Sequence, residues 1–156
     1  MTEDATLPTL GHGYFWQDIS VGARFRTFRR TITETDLVNF INVTGMLEAI
    51  FIDTHHGGAM GNRPVPAALT YCIIEGFLLR TMIQGTGIAL LEVATKVIAP
   101  VRVGDTIWAT VEVVGLKPTS KGGRAVVTSD VRVFNQRDES VMSYVVTRLL
   151  SGRPAG

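Results

Sequence analysis

The second half of the chain alternates. Ile107, Ala109, Val111 and Val113 interleave with Thr106, Trp108, Thr110 and Glu112, the period of two that puts one strand face into a core. This predicts a strand over 105–114. Gly122-Gly123 marks a turn before a second strand at 124–134, and 135–138 is a turn before a third at 141–150. Residues 88–99 read as another strand, closed by Pro100. The first half differs. A strand is predicted over 23–32, entered through a Val21-Gly22 turn. Thr33 then has the position of a helix N-cap, with Asp36 three residues on in the manner of a capping box. Leu37, Phe40, Ile41 and Thr44 recur at helical spacing, so a short amphipathic helix should run to about Val43 and stop at Gly45. From 46 to 63 the periodicity dissolves into an irregular segment with Gly57, Gly58 and Gly61, a length of loop that tends to be functional. Pro66 fits the first residue of a helix reaching about Gln84 that is apolar nearly all round, including Leu69, Cys72, Ile73, Ile74, Phe77 and Leu78.

A helix without a wet face must be enclosed by the rest of the fold. The order of strand, short helix, irregular loop, buried helix and four long antiparallel strands therefore predicts an α+β hotdog, an antiparallel sheet wrapped around one long central helix. A ferredoxin-like or cystatin-like domain competes, but a helix on an open sheet keeps one solvated face. One domain is expected over 13–150, with loose tails at 1–12 and 151–156.

Composition narrows the function. The chain has 156 residues, 46% of them hydrophobic and 19% charged, which are globular values. Fifteen basic against 14 acidic residues leave a net charge of +1, which argues against nucleic acid as the main partner. Arg24, Arg26, Arg29 and Arg30 form the one tight basic cluster, read as a solvated strand face. The single cysteine, Cys72, can make no intrachain disulfide and sits in an apolar run as a core residue. The apolar stretch 65–83 contains Glu75 and Arg80, each costing roughly 2.5–3.5 kcal/mol at a membrane centre, so it reads as a buried helix. No signal peptide pattern stands at the N-terminus, and a cytoplasmic location with no membrane partner is expected.

Over 14–148 the sequence resembles the MaoC-like acyl-thioester hydratases and dehydratases. The resemblance rests on Tyr14-Phe-Trp-Gln-Asp-Ile-Ser-Val-Gly22, on Arg30-Thr-Ile-Thr-Glu-Thr-Asp36 and on Pro100-Val-Arg-Val-Gly-Asp-Thr106, in this order and at these separations. In that family the segment after the first helix reads Thr-Gly-Asp-x-Asn-Pro-x-His-x-Asp. Here it is Thr44-Gly45-Met46-Leu47-Glu48-Ala49-Ile50-Phe51-Ile52-Asp53. The frame survives at Thr44, Gly45 and Asp53, while the family's catalytic Asp falls on Met46, its His on Phe51 and its Asn on Glu48.

The resemblance implies an acyl-CoA or acyl carrier protein thioester as ligand, no cofactor, and a homodimer or higher homo-oligomer, since hotdogs pair through their sheets. It also implies an oxyanion donor, the backbone N–H at the start of the central helix, which here is Ala67. Hydration needs a base for water and an acid for the α carbon. Glu48 is the remaining acid/base candidate, with Asp53 supporting the loop and His55 an alternative proton carrier. Met46, Leu47, Ile50 and Phe51 suggest a greasy pocket. His55 and His56 are adjacent and diverge, so no metal site is expected. Lys117, Lys121 and Arg124 flank a strand turn and read as solubilising charge. Glu75 and Arg80, five residues apart, do not face each other and should be paired or face a cleft. Trp108 and Phe134 on outward strand faces suit an interface. Beside the hydratase or dehydratase reading stand two others: a thioesterase using one carboxylate, and a silent acyl-binding subunit.

Overall fold

The computed structural model describes residues 7–56, 63–120 and 122–154. Two short strands, β1 (Arg24–Arg26) and β2 (Arg30–Thr31), precede helix α1 (Glu34–Thr44) and a four-residue helix α2 (Ala49–Ile52). The central helix α3 (Ala67–Arg80) leads into β3 (Gly87–Val97), β4 (Thr106–Pro118), β5 (Arg124–Phe134) and β6 (Ser140–Ser151). The sheet order is β1-β4-β5-β6-β3, antiparallel throughout, with β2 adding to β4.

The alternation becomes burial. Ile107, Ala109, Val111 and Val113 of β4 are buried, as are Val127, Val131 and Val133 of β5. They form one core with Leu69, Ile73, Ile74 and Leu78 of α3. An antiparallel sheet closed over one apolar helix is the hotdog arrangement. The capping box of α1 is present: Thr33 Oγ1 accepts from Asp36 N–H, and the Asp36 carboxylate accepts from Thr33 N–H at 2.8 Å. Burial raises the Asp36 pKa, but the Thr33 hydrogen bonds and Arg30 outweigh it and leave the carboxyl below its ordinary value. Gly45 ends the helix at φ 72°, a left-handed turn that glycine takes without strain.

Several elements depart from the sequence expectation. The strand expected over 23–32 is two, because at Thr27 the side chain enters the ladder: its Oγ1 accepts from Ala109 N–H while its own N–H donates to Ala109 O. Glu48 caps α2 inside the segment expected to be irregular. Gly57, Gly58 and Gly61 lie outside the described residues. Pro66 is the N-cap of α3 and not its first helical residue. The helix is also not wholly enclosed. Cys72, expected in the core, is exposed, as are Leu79 and Arg80. The arginines expected on a solvated face are exposed as expected, and three of them also make surface contacts: Arg24 pairs with Glu112, Arg30 with Asp36, and Arg26 lies 4.2 Å over the Trp108 ring. Trp108 stacks on Phe134 within the chain. At the C-terminal end, Ser151 belongs to β6, Gly152 N–H donates to Gly123 O and Arg153 pairs with Asp18, so the chain is tied through 153 where a loose tail was expected.

Candidate active site

Three segments meet at the start of α3. The turn after β3 is held by Gly104 at φ 94° and by the Asp105 carboxylate accepting from Arg102 N–H at 2.9 Å. It places Val101 so that its carbonyl accepts from Val65 N–H at 2.8 Å. Pro66, at φ −54° and ψ 136°, then turns the chain into α3 and offers no side chain to cap it. The N–H groups of Ala67 and Ala68 have no partner among the described residues, whereas those of Leu69 and Thr70 both donate to Pro66 O. The helix therefore opens with free donors and the positive end of its dipole.

A cavity of about 210 Å³ lies against this turn. Ile50 and Phe51 of α2 form one wall, Ala67 and Thr70 of α3 another, and Val97 and Met142 the sheet side. The α2 helix presents two of its four apolar residues there, held by Glu48 Oε2 accepting from Ile50 N–H at 3.0 Å and Asp53 N–H donating to Ala49 O. Among the lining residues only Thr70 has a polar side chain. It is 1% exposed, and its Oγ1 has no hydrogen-bond partner among the described residues.

Ile50, Phe51 and Ala67, singled out in the sequence, are thus brought together. The others are not. Met46 and Leu47 are exposed and lie outside the cavity wall. Glu48 is exposed with its carboxylate turned to the α2 backbone. Asp53 Oδ1 accepts from His55 N–H at 2.8 Å in a local turn, and the His55 ring contacts Thr54 Oγ1 at 3.2 Å. His56 follows in the same exposed turn, and no group of three metal-binding side chains occurs among the described residues. Lys117 and Arg124 are exposed; Lys121 lies outside the described residues.

A second cluster was only half legible. Glu75 of α3 is buried, and its Oε1 accepts from Tyr144 Oη at 2.8 Å while Arg148 pairs with Oε2. Arg148 is 7% exposed, on the inner face of β6 beside Val146. Burial and then the Glu75 charge push the Tyr144 phenol far above its ordinary value, so it remains a donor. The sequence requires a partner for Glu75. The sign that could have found it is Arg148 itself, two residues from Val146 and four from Tyr144 on the apolar face of the strand.

Fold and cavity define an α+β hotdog with an apolar cavity at the N-terminal end of its central helix. A family model, the FAS1-like dehydratase domain region, matches residues 20–144. The chain is 30% identical over 127 residues to a 3-hydroxybutyryl-CoA dehydratase of Methylorubrum extorquens, covering 80% of this chain and 79% of that protein. It superposes with a TM-score of 0.87 and 27% identity on a putative MaoC domain dehydratase of Chloroflexus aurantiacus, covering 95% of this chain and 43% of that one. A MaoC-like dehydratase of Rhodospirillum rubrum, 22% identical, shares the fold with a TM-score of 0.82 over 92% of this chain and all of its own. The chain belongs to the MaoC-like hotdog dehydratase family. No helix among the described residues is long and apolar enough to cross a membrane.

Proposed function

We propose that the chain binds a short 2-enoyl or 3-hydroxyacyl thioester of coenzyme A and interconverts the two by adding or removing water. The observation that carries this reading is the apolar cavity lined by Ala67, whose N–H has no partner among the described residues. A thioester carbonyl placed there accepts from Ala67 N–H, and the charge that builds on it as the α carbon gains or loses a proton is stabilised by a fixed donor and the helix dipole. The acyl carbons fill the cavity against Phe51, Val97 and Met142. In hydration, hydroxide equivalent adds to the β carbon and a proton to the α carbon. In this reading Glu48 is the acid/base, freed from its cap on Ile50 and reaching across α2, while Asp53 holds the following turn and His55 stands as the alternative carrier.

A second reading is favoured by one observation. The described cavity wall carries no carboxylate or imidazole, as a silent acyl-binding subunit would have it. Incubation with saturated and 2-enoyl CoA thioesters, followed by mass spectrometry, separates these. Gain of one water by enoyl substrates, reduced about 10²–10⁴-fold in Glu48→Gln, is the expected result. Gain of water undiminished in Glu48→Gln removes Glu48 from the mechanism. Release of free coenzyme A instead makes the protein a thioesterase, and binding without turnover makes it the silent subunit.

The free edge of β3 suggests the partner. Among the described residues β3 pairs only with β6, and Ile88, Leu90, Leu91 and Val97 along it are 46–56% exposed, an open apolar edge of the kind proteins seldom leave uncovered. In the proposed assembly a second copy of the chain pairs there. Light scattering should give twice the chain mass for wild type and the monomer mass for Leu90→Lys; a monomeric wild type would end this part of the reading.

A further inference from the structure

We propose that the Thr70 hydroxyl is a second donor to the ligand's carbonyl oxygen, acting beside Ala67 N–H. The inference rests on the reading of the cavity as a thioester site and deepens it. A threonine inside a helix ordinarily returns its hydroxyl to the carbonyl four residues back. Two threonines of this chain do so: Thr44 donates to Phe40 O at 2.6 Å and Thr81 to Phe77 O at 2.7 Å. Thr70 does not. The carbonyl four residues back, Pro66 O, is taken by the N–H groups of Leu69 and Thr70, and the Thr70 hydroxyl is left buried without a partner among the described residues.

A buried, unpaired hydroxyl lowers stability, and valine would occupy the same space without that cost. The group is therefore poor as a structural element, but it is well placed for a ligand. Helical side chains lie over the turn N-terminal to their own Cα, which sets the Thr70 side chain toward the opening turn where Ala67 and Ala68 N–H are free. Thr70 and Ala67 both line the cavity, whose other side chains are apolar. Two donors on one turn match the two lone pairs of one carbonyl oxygen. The chemistry also sets the ligand class. Without a cationic side chain in the lining, a carboxylate or phosphate would lose its hydration uncompensated, whereas a neutral thioester enters at low cost and becomes charged only as it reacts.

The test uses 2-butenoyl-CoA carrying ¹³C at its carbonyl, bound to wild type, Thr70→Val and Thr70→Ser. Infrared difference spectra should show the bound carbonyl stretch shifted to lower frequency in wild type, much of that shift lost in Thr70→Val and restored in Thr70→Ser. Turnover, measured in parallel, should fall about 10²-fold in Thr70→Val. The melting temperature of Thr70→Val should stay level or rise, which a structural hydroxyl would not allow. A wild-type carbonyl shift in Thr70→Val, or a melting temperature lowered by several degrees, overturns the assignment and leaves the thioester reading intact. A wild type that binds 2-butenoyl-CoA no better than coenzyme A alone overturns the thioester reading, and this inference with it.

Discussion

Ala67→Pro should lower turnover of a 2-enoyl-CoA by about 10²–10³-fold while the protein keeps its fold, because one backbone donor to a developing oxyanion is worth that much. Proline is well tolerated at the first position of a helix, where the missing N–H has no partner inside the helix. Here that N–H has no partner among the described residues either. The residue before a proline must be extended, and Pro66 already sits at φ −54° and ψ 136°. The substitution thus removes a donor from the cavity and little else. Ala67→Gly, which keeps the N–H, is the control. Steady-state hydration and a circular-dichroism melt of each variant suffice, and a proline variant that turns over at the wild-type rate would take Ala67 out of the site.

Glu75→Leu should destabilise the fold strongly. Arg148 would stay buried with its countercharge gone, and Tyr144 would lose the acceptor of its hydroxyl. Breaking one side of a buried pair costs about 3–5 kcal/mol, which in a domain of this size lowers Tm by roughly 6–20 °C. Adding Arg148→Met should return most of the loss, since replacing both charges with apolar groups is often neutral or favourable. Calorimetry on the two variants decides it. A loss below about 1 kcal/mol in Glu75→Leu would mean that Arg148 reaches water and the pair is peripheral.

The sheet was legible because each strand carries its own signal. Ile107 to Val113 and the Gly122-Gly123 turn need no knowledge of what they pack against. Thr33 and Asp36 likewise cap α1 through bonds made within four residues. What sequence could not supply was direction. Glu48 looks like a free carboxylate three residues before Phe51, but Ala49–Ile52 closes into one helical turn and draws it onto Ile50 N–H. Thr70 looks like a polar residue tolerated in an apolar helix. Only the fold shows that its hydroxyl, unlike those of Thr44 and Thr81, has no partner among the described residues. Cys72 and Leu79 look like core, and their exposure follows from a face of α3 that this chain alone does not cover.

The sheet order has a consequence for how the protein is made. β3 leaves the ribosome directly after α3, yet its register, Val97 against Met142 and Gly87 against Leu150, ties it among the described residues to β6 alone. Residues 98–139 must be synthesised before that partner begins to emerge, and at roughly 5–20 residues per second this takes on the order of seconds. Through that interval the nascent chain carries an apolar helix and an unpaired strand, and β4 and β5 can cover the helix but cannot pair with β3. The translating chain is therefore most exposed to chaperones, and to its neighbours on the same message, between the completion of β3 and the arrival of Tyr144 and Arg148.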